Sequence, residues 1–214
     1  MKRKTLTLVL CLLATFALAS IGFASWIIAN PADINLTDEG SFTVYDATDS
    51  TASISVTFAG GKKSIIFGKP TAEKIATIQD PWLTMGSEMA EENLSVSLTV
   101  SESNDDYTGT LAVYLYVDNE TYQKLEKAKT DELINYSDDL FQEVQIGSKT
   151  YHGIKQETSN STTLNLSFTW GEKFGSTNPY LHYNGGSYDA NAAETLNSLL
   201  PLNNIKFNVL ITEA

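Results

Sequence analysis

The chain has 214 residues, a formal net charge of −12 at pH 7 and a single cysteine, Cys11. A surface this acidic repels phosphate backbones and anionic lipid headgroups, which argues against nucleic-acid binding and peripheral membrane attachment. Because Cys11 lies in the N-terminal segment, the rest of the chain cannot form disulfides and has to be stabilised by a buried core.

The N-terminus has the three-part layout of a secretory signal peptide, which we place at residues 1–25. Three basic residues precede an apolar run from Leu6 to Ala19, and small residues allow cleavage after Ala19 or after Ala24. The apolar character continues to Ala29, and a run of this length also suits an uncleaved membrane anchor. Both alternatives predict a secreted or cell-surface protein that contacts a membrane only through this segment, and only if the segment is retained.

Six later segments alternate apolar and polar residues with period two, which predicts strands with one buried face. They begin at Phe42, Ser53, Leu94, Thr110, Thr163 and Ile205. In the third segment, the apolar side chains from Leu94 to Val100 are expected on one face and the Ser and Thr side chains on the other. Turn-forming residues at 101–109 predict that the third and fourth strands form a hairpin.

Two stretches contain helix-forming residues instead. The first begins at Asn119, a candidate N-cap, and runs to residue 143. The second begins at another candidate N-cap, Asp189, and ends at Pro201, which predicts about three turns. Strands outnumber helices and do not alternate regularly with them. We therefore expect a mainly β fold: a single antiparallel β-sandwich domain over residues 32–214, jelly-roll or immunoglobulin-like, with two helical insertions.

No catalytic or metal-binding motif is present in the sequence. His152 and His182 lie in different segments without the His-Glu-x-x-His spacing of zinc proteases, and no Gly-x-Ser-x-Gly motif occurs. Adjacent carboxylates such as Asp105 and Asp106 are interpreted as solvated surface. Loop carboxylates are not included among the predicted site residues, because their spacing matches no known calcium loop. Whether they bind calcium is left open. We therefore predict a protein without enzymatic activity, cofactor or metal site.

The segment from Phe168 to Asn191, called the aromatic segment below, alternates aromatic residues with Gly and polar residues. The candidates for ligand or partner contact are Trp170, Phe174, Tyr180, Tyr183 and Tyr188. Rings in such a setting can stack against sugars or contact a partner protein. The alternative is a long loop that folds its aromatic residues over one end of the core.

Two parts of the chain carry a family resemblance. They are the N-terminal KRKTLTLVLCLLATFALASIGFASW, with its small and aromatic junction at Gly22–Trp26, and the closing NNIKFNVLITEA. Both resemble the TasA/camelysin-like secreted proteins of Gram-positive bacteria, whose signals are processed by a SipW-type signal peptidase. The resemblance implies a jelly-roll-like fold and, for some members, polymerisation into biofilm-matrix fibres by donation of an N-terminal strand. The metallopeptidase activity assigned to camelysin relatives is not transferred, because this chain shows no motif for it.

If the resemblance carries over, Ala32–Tyr45 is the candidate donated strand, since strand addition satisfies backbone groups at an exposed edge. The leading hypothesis is then a secreted or cell-surface structural protein, a biofilm-matrix or fibre subunit that self-assembles or joins other surface proteins. The alternative is a surface carbohydrate- or protein-binding module that uses the aromatic residues at 170–188.

Overall fold

The computed structural model describes residues 42–46, 52–67, 91–184, 190–203 and 205–214. Its strands are β1 (Phe42–Asp46), β2 (Ile54–Phe58), β3 (Ser95–Glu102), β4 (Leu111–Val117), β5 (Ile134–Asn135), β6 (Gln142–Ile146), β7 (Lys149–Thr158), β8 (Ser161–Ser167), β9 (Thr169–Trp170) and β10 (Phe207–Glu213). Its α-helices are α1 (Asn119–Thr130), α2 (Pro179–Asn184) and α3 (Ala190–Asn197). The predicted signal peptide, residues 32–41 of the candidate donated strand, Tyr188 and Asp189 lie outside the described residues.

The strands form two main sheets that share one hydrophobic core. One sheet has the strand order β1-β10-β4-β7-β6 and the other the order β2-β3-β8, while β5 and β9 form a small third sheet. Every pairing of the described strands is antiparallel except that of β1 with β10. Both main sheets contribute to a single cluster of buried side chains. The predicted mainly β, antiparallel sandwich is therefore confirmed.

The period-two alternation explains both faces of the three-stranded sheet. In β3, Val96, Leu98 and Val100 are buried, whereas the intervening Ser and Thr side chains are partly exposed. The paired positions of the outer face carry uncharged polar side chains: Ser55, Thr57, Ser95, Ser97, Thr99, Ser101, Ser161, Thr163, Asn165 and Ser167. Hydroxyls of neighbouring strands meet across this face, as Thr99 Oγ1 and Thr163 Oγ1 do at 3.0 Å. The serine-rich strands therefore supply the solvated face of a sheet.

The predicted hairpin between β3 and β4 is wrong. β3 pairs with β2 and β8, whereas β4 pairs with β10 and β7, so residues 103–110 cross from one sheet to the other. Asn104 forms the turn in this crossing, because its side-chain oxygen accepts from the Asp106 N–H at 3.1 Å and its carbonyl accepts from the Tyr107 N–H at 2.9 Å. Turn-forming residues serve a crossing between sheets as well as a hairpin, so local composition does not distinguish the two.

Helix α1 confirms the first predicted helix but is shorter than the predicted stretch. Its N-cap is Asp118 rather than Asn119, because the Asp118 carboxylate accepts a hydrogen bond from the backbone N–H of Thr121 at 2.7 Å. The helix ends at Thr130, and the remaining residues of the stretch form β5, a 3₁₀ turn at Asp138–Phe141 and the start of β6. The second predicted helix is present as α3, but it ends at Asn197, four residues before the predicted end at Pro201, and has about two turns rather than three.

The C-terminus of α1 is closed by two hydrogen bonds of the Schellman type. The backbone N–H of Leu133 donates to the carbonyl of Ala128 at 2.9 Å, and that of Glu132 donates to the carbonyl of Lys129 at 3.0 Å. Glu132 has a φ of 59°, the left-handed conformation that glycine usually takes at this position. Gly171 lies directly against the turn, since a Cβ there would be 2.0 Å from the Glu132 carbonyl oxygen. Position 171 therefore requires glycine.

Candidate functional site

The first candidate site is the β1 edge of the five-stranded sheet. β1 pairs in parallel with β10, with Phe42 opposite Phe207 and Val44 opposite Val209. Among the described strands it has this single neighbour, so one side of its backbone has no strand partner there. Residues 42–45 of the predicted donated strand therefore form part of an edge strand.

Two side chains anchor β1 in the core. Phe42 is 1% exposed and Val44 is 5% exposed. The Phe42 ring stacks on the Phe207 ring with centroids 5.1 Å apart, and it contacts the Phe58 ring edge-on at 5.6 Å. Because Phe207 belongs to the same sheet and Phe58 to the other sheet, Phe42 joins the two layers. Full burial of such a side chain contributes about 1.5–3 kcal/mol to stability.

The outer side of β1 belongs to a patch of tyrosines. Tyr45 lies opposite Leu210 of β10, which in turn lies opposite Tyr114 of β4. Tyr116, two positions along β4, contacts the Tyr151 ring with centroids 4.8 Å apart. Burial and the neighbouring hydroxyls of Tyr151 and Tyr45 raise the pKa of Tyr116 to about 12. β1 therefore contributes to the outer face of the sheet as well as to the core.

The aromatic segment is the second candidate site, and its described candidate rings lie in the core. Trp170, Phe174 and Tyr183 are 1%, 0% and 6% exposed. Trp170 contacts Phe174 edge-on at 5.8 Å, and Phe174 contacts Tyr183 edge-on at 6.2 Å. The side chain of Tyr180 and the whole of Tyr188 lie outside the described residues. The structure thus brings three of the five candidates together by packing, which leaves these three rings little surface for a ligand.

A cavity of about 440 Å³ lies beside this cluster, between β5, β9 and the turn after β9. Trp170 forms part of its wall together with polar residues that include Asn135, Thr169 and Glu172. The indole N–H of Trp170 is buried and has no hydrogen-bond partner among the described residues. Because the Trp170 ring is almost fully buried, the wall does not offer the exposed ring face on which a sugar would stack.

A separate cavity of about 330 Å³, called the acidic cavity below, lies between α1, the turn at Asp138–Phe141 and β7. Its wall includes Tyr122, Glu126, Glu143 and His152. Sequence patterns do not bring these residues together. The sequence indicates only one of these proximities: Tyr122 and Glu126 are four positions apart and therefore share one face of α1. Nothing in the sequence places the half-buried His152 beside them.

The described part of the chain contains no group of three or more His, Cys, Asp or Glu side chains that could hold a metal ion. His152 stacks on Tyr122 with ring centroids 3.7 Å apart, and His182 contacts the Tyr183 ring at 4.6 Å. Both histidines thus pack against aromatic rings. In the same described residues, no helix has the length and apolar character needed to span a bilayer.

No protein-family model, no curated protein and no solved structure matches this chain. The sites are therefore assigned from geometry. The resemblance to the TasA/camelysin-like group stays an expectation drawn from the two ends of the sequence, of which the closing strand is described as β10.

Proposed function

We propose that this protein is a secreted or cell-surface structural protein, a matrix or fibre subunit whose copies assemble by exchange of β1. The observation that supports the proposal is the position of β1, which among the described strands lies at the edge of its sheet and has one parallel neighbour. Its first four residues are the described part of the candidate donated strand Ala32–Tyr45. The proposed activity is assembly rather than catalysis.

A strand with one neighbour can be supplied by another chain at little cost. In an exchanged arrangement, Phe42 and Val44 of one copy fill the same place beside β10 of the next copy, and the ladder hydrogen bonds are kept. The free-energy difference between the closed monomer and the exchanged form then lies mainly in the connection from β1 to β2, residues 47–53. A head-to-tail series of such exchanges that does not close produces a filament.

A cysteine pair tests the exchange directly. Thr43 and Asn208 are register partners on β1 and β10, and Cys11 is the only natural cysteine. In a variant with Thr43→Cys, Asn208→Cys and Cys11→Ser, oxidation should link different chains if β1 is exchanged, because register partners lie within disulfide reach. We expect the material that sediments as large species to give a ladder of covalent multimers on a non-reducing gel.

The matched control moves the second cysteine along β10 to Thr212, which lies beyond the register partner of Thr43. This pair should give no ladder. Large particles that yield only internally linked single chains would show that assembly does not use β1. Protein that stays monomeric under all conditions would contradict the structural function itself.

The alternative function, a surface carbohydrate- or protein-binding module acting through residues 170–188, receives less support from the geometry. A ligand that contacts Trp170 or Tyr183 has to reach rings that are buried in the core. A binding module would stay monomeric and lose its ligand in Trp170→Ala or Tyr183→Ala. Thermal melts of both variants would separate loss of ligand contact from loss of fold.

A further inference from the structure

The wall of the acidic cavity combines aromatic rings with several carboxylates. Tyr122 of α1 and His152 of β7 stack with ring centroids 3.7 Å apart and ring planes inclined by 7°, and both line the cavity. Tyr136 and Phe141 form a second aromatic contact in the wall, edge-on at 5.2 Å. Aromatic rings attract cations, and the Lys129 ammonium already lies over the Tyr136 ring, 4.5 Å from its centroid. Planar cations can also stack on such rings, and the Tyr122–His152 pair has no cation contact among those found between described residues.

Glu126 is held in a fixed orientation in the same wall. Its Oε1 atom accepts a hydrogen bond from the Tyr136 hydroxyl at 2.5 Å. Burial, followed by the hydrogen bond to Glu126, raises the pKa of Tyr136 above its usual range, so this hydroxyl keeps its proton at neutral pH. Glu126 is therefore an oriented acceptor rather than a mobile surface carboxylate.

The cavity also carries two carboxylates without a salt bridge in the described part of the chain. Glu126, Asp138 and Glu143 all line it, and Lys129 neutralises Asp138 through an ion pair at 2.5 Å. No salt bridge found among the described residues includes Glu126 or Glu143. Burial and then the charge of Glu126 raise the pKa of Tyr122, and Glu143 adds to this rise while Lys129 opposes it. The net rise has the sign expected where the carboxylates outweigh the single ammonium.

We propose that the acidic cavity binds the guanidinium group of an arginine side chain presented by a basic partner protein. The volume of about 330 Å³ accommodates one long side chain and lies at the lower end of natural ligand cavities. The planar guanidinium stacks on the pair formed by Tyr122 and His152, while its N–H groups donate to the carboxylates of Glu126 and Glu143. A lysine ammonium is not planar and therefore cannot stack on these two rings as a guanidinium does.

The sequence favours a different protein over a second copy as the occupant. Arg3 is the only arginine of the chain and lies in the predicted signal peptide, whereas the formal net charge of −12 steers a basic segment of another protein towards the cavity. The site goes beyond the proposed assembly and is separate from it. The cavity is lined by Gln142 and Glu143 of β6, the edge strand opposite β1 in the five-stranded sheet.

The test uses a five-residue peptide with one arginine between glycine and serine residues, and the same peptide with neutral citrulline as its control. Saturation-transfer NMR observes the peptide, so the measurement works for monomers and for assemblies of the purified protein. We expect the arginine peptide to bind and Glu126→Gln to weaken binding about tenfold or more, because a charge-assisted hydrogen bond is lost. Glutamine keeps an acceptor for the Tyr136 hydroxyl, so the cavity should keep its shape.

The matched control is Glu120→Gln, which removes the same charge from an exposed position of the same helix. It should change binding by less than about twofold, because exposed charges contribute little. Glu143→Gln is a second cavity variant, expected to weaken binding even if Glu126→Gln fails to fold. Equal weakening by Glu120→Gln and Glu126→Gln would reveal long-range attraction only and overturn the proposal. Equal binding of the citrulline peptide, or no binding of the arginine peptide, would overturn it as well.

Discussion

Replacement of Phe42 by alanine tests whether β1 is part of the folded core. Phe42 is 1% exposed and contacts Phe207 and Phe58, one in each sheet. Buried phenylalanine-to-alanine changes cost about 3–5 kcal/mol, and each aromatic contact contributes about 0.5–1.5 kcal/mol beyond the buried area. Two such contacts favour the middle or upper part of the range, so we expect Phe42→Ala to lower the free energy of unfolding by about 4 kcal/mol.

Urea unfolding of the monomeric protein, followed by circular dichroism, measures this change. The same loss should lower the melting temperature by about 8–16 °C for a domain of this size. The matched control is Thr43→Ala, the next residue along β1, which is only partly buried. It should change stability by about 0.5 kcal/mol or less.

A loss below about 1 kcal/mol for Phe42→Ala, or equal losses in the two variants, would refute the reasoning. Either result would mean that β1 does not occupy the place beside β10 in the monomer. Exchange of β1 between copies would then lose its physical basis, because the monomer would not bind its own β1 beside β10.

Three further predictions concern single positions. Glu132→Gly should stabilise the fold by about 0.5–1 kcal/mol and so raise the urea midpoint. Glycine adopts the left-handed conformation without strain, and this gain exceeds its greater loss of chain entropy on folding. A lower midpoint would contradict this. Gly171→Ala should destabilise the fold by more than about 2 kcal/mol in the same assay, because its Cβ would lie 2.0 Å from a carbonyl oxygen. Tyr116 has its pKa raised from 10.0 to about 12 in the folded state, so the unfolded state loses this proton first and stability should fall as pH rises through that window. In Tyr116→Phe, the melting temperature should fall less over the same pH range.

The strands that can be predicted are those whose two faces differ in polarity. Each of the six alternating segments contains a strand. The hairpin of β6 and β7 was missed because its residues are mostly exposed, with Gly153 the only fully buried position of β7. The available signal was the two-residue turn at Gly147–Ser148, where Gly147 has a φ of 61°.

Partners in the sheets and the walls of cavities could not be predicted, because both depend on residues far apart in the sequence. The acidic cavity joins Tyr122 of α1 to His152 of β7, with β5, a 3₁₀ turn and β6 between them in the sequence. The aromatic segment shows the opposite case. Its composition suggested a contact surface, but large rings such as Trp170 and Phe174 remove more apolar area from water in the core than on the surface.

The place of β10 in the sheet determines when this chain can fold. β10 is the last strand in sequence, yet it lies between β1 and β4. The five-stranded sheet therefore cannot close before residues 207–213 have been synthesised. Until then Phe42 cannot pair with Phe207, its partner at the other end of the domain. Contacts this distant in sequence form late, because the entropy of closing the loop is lost before they stabilise the chain. During translation the five-stranded sheet therefore stays open between β1 and β4 until the end of the domain has been synthesised.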